Sequence, residues 1–101
     1  MIEQVFRYTT SDNKTLERVV QDEAVHVNHM VLPRGEGFPE HVANANVYMT
    51  VLRGQLLLRL GEQEIHEYQR GDVLKIPKGT NMKGENHEEE TVELLVVKSF
   101  A

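Results

Sequence analysis

From about Val25 to Lys98, short runs rich in Val, Leu and Ile are cut at close intervals by Pro33, Gly35, Gly37, Pro39, Gly54, Gly61, Gly71, Pro77, Gly79 and Gly84. Regular short apolar stretches with turn residues between them read as an all-β sandwich or barrel with little helix. His26 to Leu32 is a strand candidate that must stop at Pro33, because proline cannot donate to a ladder and holds the residue before it extended. Leu52-Arg-Gly-Gln55 reads as a hairpin turn joining Val47–Leu52 to Gln55–Leu60.

Alternation then says which faces are wet. In Gln55–Leu60 the side chains of Leu56, Leu58 and Leu60 share one face, opposite Gln55, Leu57 and Arg59, so the strand is half buried. Ile65–Tyr68, Val73–Ile76 and Glu93–Lys98 are further strand candidates, while Lys14–Val20 fits either a helical turn or an edge strand, with a strand favoured near Glu17–Val20. The run Glu85-Asn-His-Glu-Glu-Glu90 reads as a solvated loop rather than an acidic cation site.

Composition removes several classes of function. With 101 residues and 40% apolar content the chain suits one domain spanning 1–101 with a single core. The absence of cysteine excludes a disulfide framework, a thiolate nucleophile and a cysteine-rich zinc site. A formal net charge of −5, without a clustered Lys/Arg stripe, argues against nucleic acid as a partner. Apolar stretches such as Leu56–Leu58 and Leu94–Val97 are too short to cross a bilayer, and the first residues lack the pattern of a signal sequence. The expectation is a soluble, cytoplasmic protein with no membrane partner. No serine sits in a nucleophile elbow, and Gly35-x-Gly37 leads into Pro39 and a strand rather than into a helix that would hold a phosphate.

Two residue frames carry a more specific signal. Gly35, His41 and Gly54 stand at the spacing of a glycine, five residues, His-x-His, three residues, a glutamate, six residues and a glycine, with Ala43 at the second histidine and Val47 at the glutamate. Gly71, Pro77, Gly79 and Asn86 fit a glycine, five residues, Pro-x-Gly, two residues, a histidine, three residues and an asparagine, with Met82 at the histidine. Sixteen residues separate Gly54 from Gly71. The two frames, at about 35–54 and 71–86, resemble the paired motifs of a small single-domain cupin. The resemblance implies a jelly-roll β-barrel, or double-stranded β-helix, and frequent dimerisation through sheet packing.

In metal-using cupins the two histidines and the glutamate of the first motif and the histidine of the second converge on a divalent transition metal inside the barrel. Only His41 survives here. Alanine and valine offer no donor, and a methionine thioether suits Cu(I) better than Fe(II), Mn(II) or Zn(II), so weak metal binding is expected, with His41 as the sole ligand candidate. Of the remaining histidines, His26 and His29 have opposite strand parity, so at most one of them faces the interior.

The replacements predict a drier pocket. Val47, Met49 and Val51 share a strand face and should join Ala43 and Met82 around an apolar interior, with His41, Asn46 and Asn86 as sparse polar anchors for a small molecule. The other outcome is an interior packed solid, since methionines are adaptable core fillers. The reading that follows is a small-molecule-binding or accessory domain without a standard metal centre, more a binding protein than an enzyme, and a homodimer in which Val19–Val31 extends a neighbouring sheet. A metal-dependent dioxygenase or isomerase with rearranged ligands, and a purely structural dimeric module, are the alternatives.

Overall fold

The computed structural model describes residues 1–101 and contains nine strands and no helix. They are β1 (Thr15–Gln21), β2 (Val25–Leu32), β3 (Gly37–Val42), β4 (Asn46–Arg53), β5 (Gln55–Leu60), β6 (His66–Gln69), β7 (Val73–Ile76), β8 (Asn81–Glu85) and β9 (Val92–Ser99). A five-stranded sheet has the order β1-β2-β9-β4-β7, and a four-stranded sheet the order β3-β8-β5-β6. All pairings are antiparallel. The two sheets form the barrel that the resemblance implied.

The core follows from alternation along the strands. Val47, Met49 and Val51 of β4, Val92, Leu94 and Val96 of β9, and Leu56 and Leu58 of β5 are buried against Leu32, Phe38, Ala43, Ile76 and Met82. Each fully buried aliphatic side chain of this kind contributes roughly 1.5–3 kcal/mol of transfer free energy. The face of the larger sheet that points away from this core carries Glu17, His29, Glu93 and Arg53.

The link at Gly54 departs from the hairpin expected of it. β4 pairs with β7 and β9 and lies in the larger sheet, whereas β5 pairs with β6 and β8 in the smaller one. Gly54 therefore carries the chain from one sheet to the other. A bulge between Val51 and Arg53 bends β4 just before it, and a φ of +81° at Gly54 turns the backbone through a region that side chains disfavour.

The N-terminal segment before β1 has no regular structure and lies partly across the outer face of the larger sheet, where Tyr8 stacks on His29. Met1, Ile2, Val5 and Phe6 project from it and are exposed. No helix is long and apolar enough to cross a membrane.

Candidate functional site

The two glycine-framed motifs meet where β3, β4 and β8 approach one another. Ala43, Val47, Met49, Val51 and Met82 are all buried within the apolar cluster, in the interior positions expected of them. They fill the space themselves. None of the five clefts of the molecule is lined by any of these residues, so the expected apolar cavity is replaced by packing.

His41 is the correction in this set. It was expected inside the barrel, and it is exposed. β3 is an edge strand with Pro39 inside it, and its register with β8 slips between Phe38 and His41, so Glu40, His41 and Val42 run along the rim, open to solvent. The imidazole lies edge-on to Phe38, with ring centroids 5.8 Å apart, and its Nδ1 is 2.8 Å from the Pro39 carbonyl oxygen. That contact requires Nδ1 to donate, which leaves Nε2 as the free ring nitrogen.

The two asparagines are structural in their bonding. Asn86 is fully buried, and its Nδ2 donates to the carbonyl oxygens of Leu32 and Glu90 at 2.9 Å each, while its Oδ1 accepts from the Glu88 N–H. It staples the β8–β9 loop to the end of β2. Asn46 accepts the Lys78 N–H on Oδ1 at 3.0 Å, tying the start of β4 to the turn after β7. The Asn86 amide is thus engaged by backbone at both ends, whereas Asn46 uses only its Oδ1.

This donor set does not fit a first-row metal ion. Ala43 and Val47 carry no ligand atom, Met82 offers a thioether within an apolar cluster, and His41 stands at the rim. Elsewhere in the chain, too, no three His, Asp or Glu side chains are grouped to hold an ion.

A different polar cluster is built on the outer face of the larger sheet, and the reading of the sequence missed it. His29 is fully buried there. Its Nδ1 lies 2.8 Å from Glu17 Oε2 and its Nε2 2.6 Å from Glu93 Oε2. Since a neutral imidazole has one N–H, both contacts are made as donations only by the doubly protonated ring. Arg53 continues the network, donating from Nε to Glu93 at 3.1 Å and from Nη2 to Asp12 at 2.5 Å. Tyr8 closes it from above, its ring 4.0 Å from that of His29 at an interplanar angle of 20°. The strand parity of His26 and His29 did separate them as expected: His29 is on the outer face, and His26 pairs with Lys98 on the inner one.

The hydrogen bond from His29, with those from the Thr9 backbone N–H and hydroxyl, holds the Glu17 carboxyl below the usual carboxylate range. A carboxyl lowered in this way adds stability that is complete above its unfolded-state value and is lost as pH falls through its folded value. Thermal melts between about pH 7 and pH 3 should therefore show a steeper acid-side loss for wild type than for Glu17→Gln. Parallel curves would show that this carboxyl carries no acid-linked stability.

Comparison with known proteins points in one direction. Residues 28–98 match the family model for the cupin domain. The chain is 36% identical over 100 residues to the uncharacterized protein MJ0764 of Methanocaldococcus jannaschii, spanning 98% of this chain and 86% of that protein. The crystal structure of that RmlC-like cupin family protein, with a double-stranded β-helix fold, matches at a TM-score of 0.93 over 98% of this chain and 92% of the other. A Thermus thermophilus protein, TT1209, matches at a TM-score of 0.77 and 24% identity over 92% of this chain and 88% of its own. A conserved protein of unknown function from Streptococcus pyogenes matches at 0.77 and 19% identity, over 89% and 76%. At these lower identities the likeness concerns the fold alone.

Proposed function

Since the chain belongs to the cupin family, whose barrel is defined here down to its register, we propose that it works as a metal-free small-molecule-binding or accessory domain that associates as a homodimer. One observation carries the metal-free part. The positions at which the family's motifs present ligands are occupied by Ala43, Val47 and Met82 inside a packed apolar core. Any small molecule is therefore bound outside the filled interior, at the rim or on a sheet face.

The dimer rests on exposed apolar groups that a lone chain leaves in water. Ile2 is fully exposed, and Val5 and Phe6 are about half exposed, on a segment with no strand partner. Tyr48 and Val73 lie exposed on the outer face of the larger sheet. β1 is a free edge of that sheet but is kinked by a bulge after Arg18, a feature that discourages edge pairing. The projecting segment is the better contact. Sedimentation at micromolar concentration should give a dimer, and removal of residues 1–7 should give a monomer; a monomeric wild type would defeat this part of the proposal.

Metal titration tests the rest. Calorimetry with Mn(II) and Zn(II) should show no tight stoichiometric binding by wild type. The combined substitutions Ala43→His, Val47→Glu and Met82→His should produce a gain of at least about tenfold, at a cost in apo stability from burying polar groups. Tight binding by wild type that is abolished by His41→Ala would overturn the metal-free reading.

A further inference from the structure

Most of the inner face of the larger sheet is covered by the smaller one, but its β1–β2 end is open. There a cleft of about 240 Å³ is lined by Leu16, Glu17, Arg18, Asn28 and Met30. Arg18 and Asn28 are opposite one another in the β1–β2 register, and His26 and Lys98 form the corresponding inner pair of β2 and β9. Glu17 contributes no free charge, since its carboxylate is engaged by His29 and Thr9.

Arg18 and Lys98 are close enough to repel one another, and neither is ion-paired. Two further features set this corner apart. The two buried side-chain polar atoms without any partner are both here: Asn28 Oδ1 and His26 Nδ1. The Asn28 amide forms no hydrogen bond within the chain, yet it sits on an inner face beside Val96 and near Met30, where an apolar side chain would pack. Asn28 Oδ1, a buried acceptor without a partner, lowers stability and cannot be satisfied by an anion, while the amide's Nδ2 is left free to donate.

We propose that Arg18, Asn28 and Lys98 form a binding site for a small organic carboxylate. The guanidinium supplies paired donors matched to a carboxylate, the Asn28 Nδ2 supplies a neutral donor beside it, and Leu16 and Met30 give a short apolar body a surface to lie on. Lys98 adds the second charge from β9, its ammonium 5.6 Å from the centre of the Phe100 ring, against which His26 packs edge-on at 4.6 Å. Burial and the proximity of Arg18 both push the Lys98 ammonium below its ordinary range, the strain that a bound anion would relieve. This site rests on the reading of the protein as a metal-free binding domain, and it goes further by naming the place and the ligand class.

Butyrate is a suitable probe, followed by the side-chain amide signals of Asn28 in nitrogen-15 NMR. Saturable shifts with a Kd of roughly a millimolar are expected. Inorganic phosphate, which has the charge without the apolar body, should bind at least about tenfold more weakly. Arg18→Gln and Lys98→Gln should each weaken butyrate binding while leaving the rest of the spectrum in place. Asn28→Val is the decisive variant: it should weaken binding by roughly fivefold and raise the Tm by about 4 °C, because it removes the unpartnered amide. A lower Tm for Asn28→Val would mark the residue as structural and overturn the assignment. So would equal binding of phosphate and butyrate, no saturation, or no effect of Arg18→Gln. Those failures leave the Mn(II) and Zn(II) titrations unchanged, so loss of this site and loss of the metal-free reading are separately visible.

Discussion

Replacing His29 with alanine is expected to destabilise the protein by about 3 kcal/mol or more, because it opens a cavity at a fully buried position and takes a hydrogen-bond partner from two carboxylates. The arrangement explains the size. His29 stands between the Glu17 and Glu93 carboxylates at 2.8 and 2.6 Å, and without it two acids are left near one another with a cavity between them. Arg53 remains paired with Glu93, but nothing replaces the donor to Glu17 on this face except Thr9. Tyr8 loses its stacking partner as well, so the N-terminal segment should loosen. Circular dichroism melts at neutral pH should register a fall of more than about 10 °C, and proteolysis should cut the first dozen or so residues faster. A loss below about 1 kcal/mol would mean that the carboxylates are adequately solvated without the imidazole.

The second large effect is expected at Gly54. Its φ of +81° already makes a side chain cost about 1–2 kcal/mol. Space makes it worse, because a Cβ at this position would lie 2.6 Å from the Thr91 carbonyl oxygen and 2.8 Å from the Val92 Cα, both backbone atoms. Gly54→Ala should thus force the β4–β5 crossing away from the start of β9 and cost about 3 kcal/mol or more. Gly35 supplies the control. Its φ is +83°, but no atom lies within 4 Å of a Cβ built there, so Gly35→Ala should cost only the conformational part. Urea denaturation of the two variants side by side separates conformation from crowding, and equal losses would refute the steric argument.

The contrast between those glycines also shows what a sequence can and cannot disclose. Both fit the same motif frame, and the frame placed the barrel and the inward side of Val47, Met49, Val51 and Met82 correctly. These are consequences of local periodicity and turn chemistry. That Gly54 crosses between sheets rather than closing a hairpin depends on which strands each neighbour joins, and no residue within the turn encodes that. His41 escaped its expected position because β3 slips against β8 at Pro39, a shift set by the pairing of an edge strand. The His29 network was hidden for another reason: Glu17, His29, Arg53 and Glu93 are scattered over most of the sequence, and a lone histidine on a β-strand gives no hint of two carboxylates meeting it from different strands.

The strand order of the larger sheet has a bearing on how the protein is made. β9, the last strand in the sequence, lies between β2 and β4, and it is hydrogen-bonded along most of its length to both. During synthesis the ribosome must release residues 92–99 before β1-β2 and β4-β7 can join into one sheet, so a nascent chain holds two separate antiparallel pieces with exposed apolar faces until β9 has emerged. Truncation even a few residues into β9 would remove the middle of the sheet rather than trim its border, and the vulnerable interval for aggregation or chaperone capture lasts until that strand is free to pair.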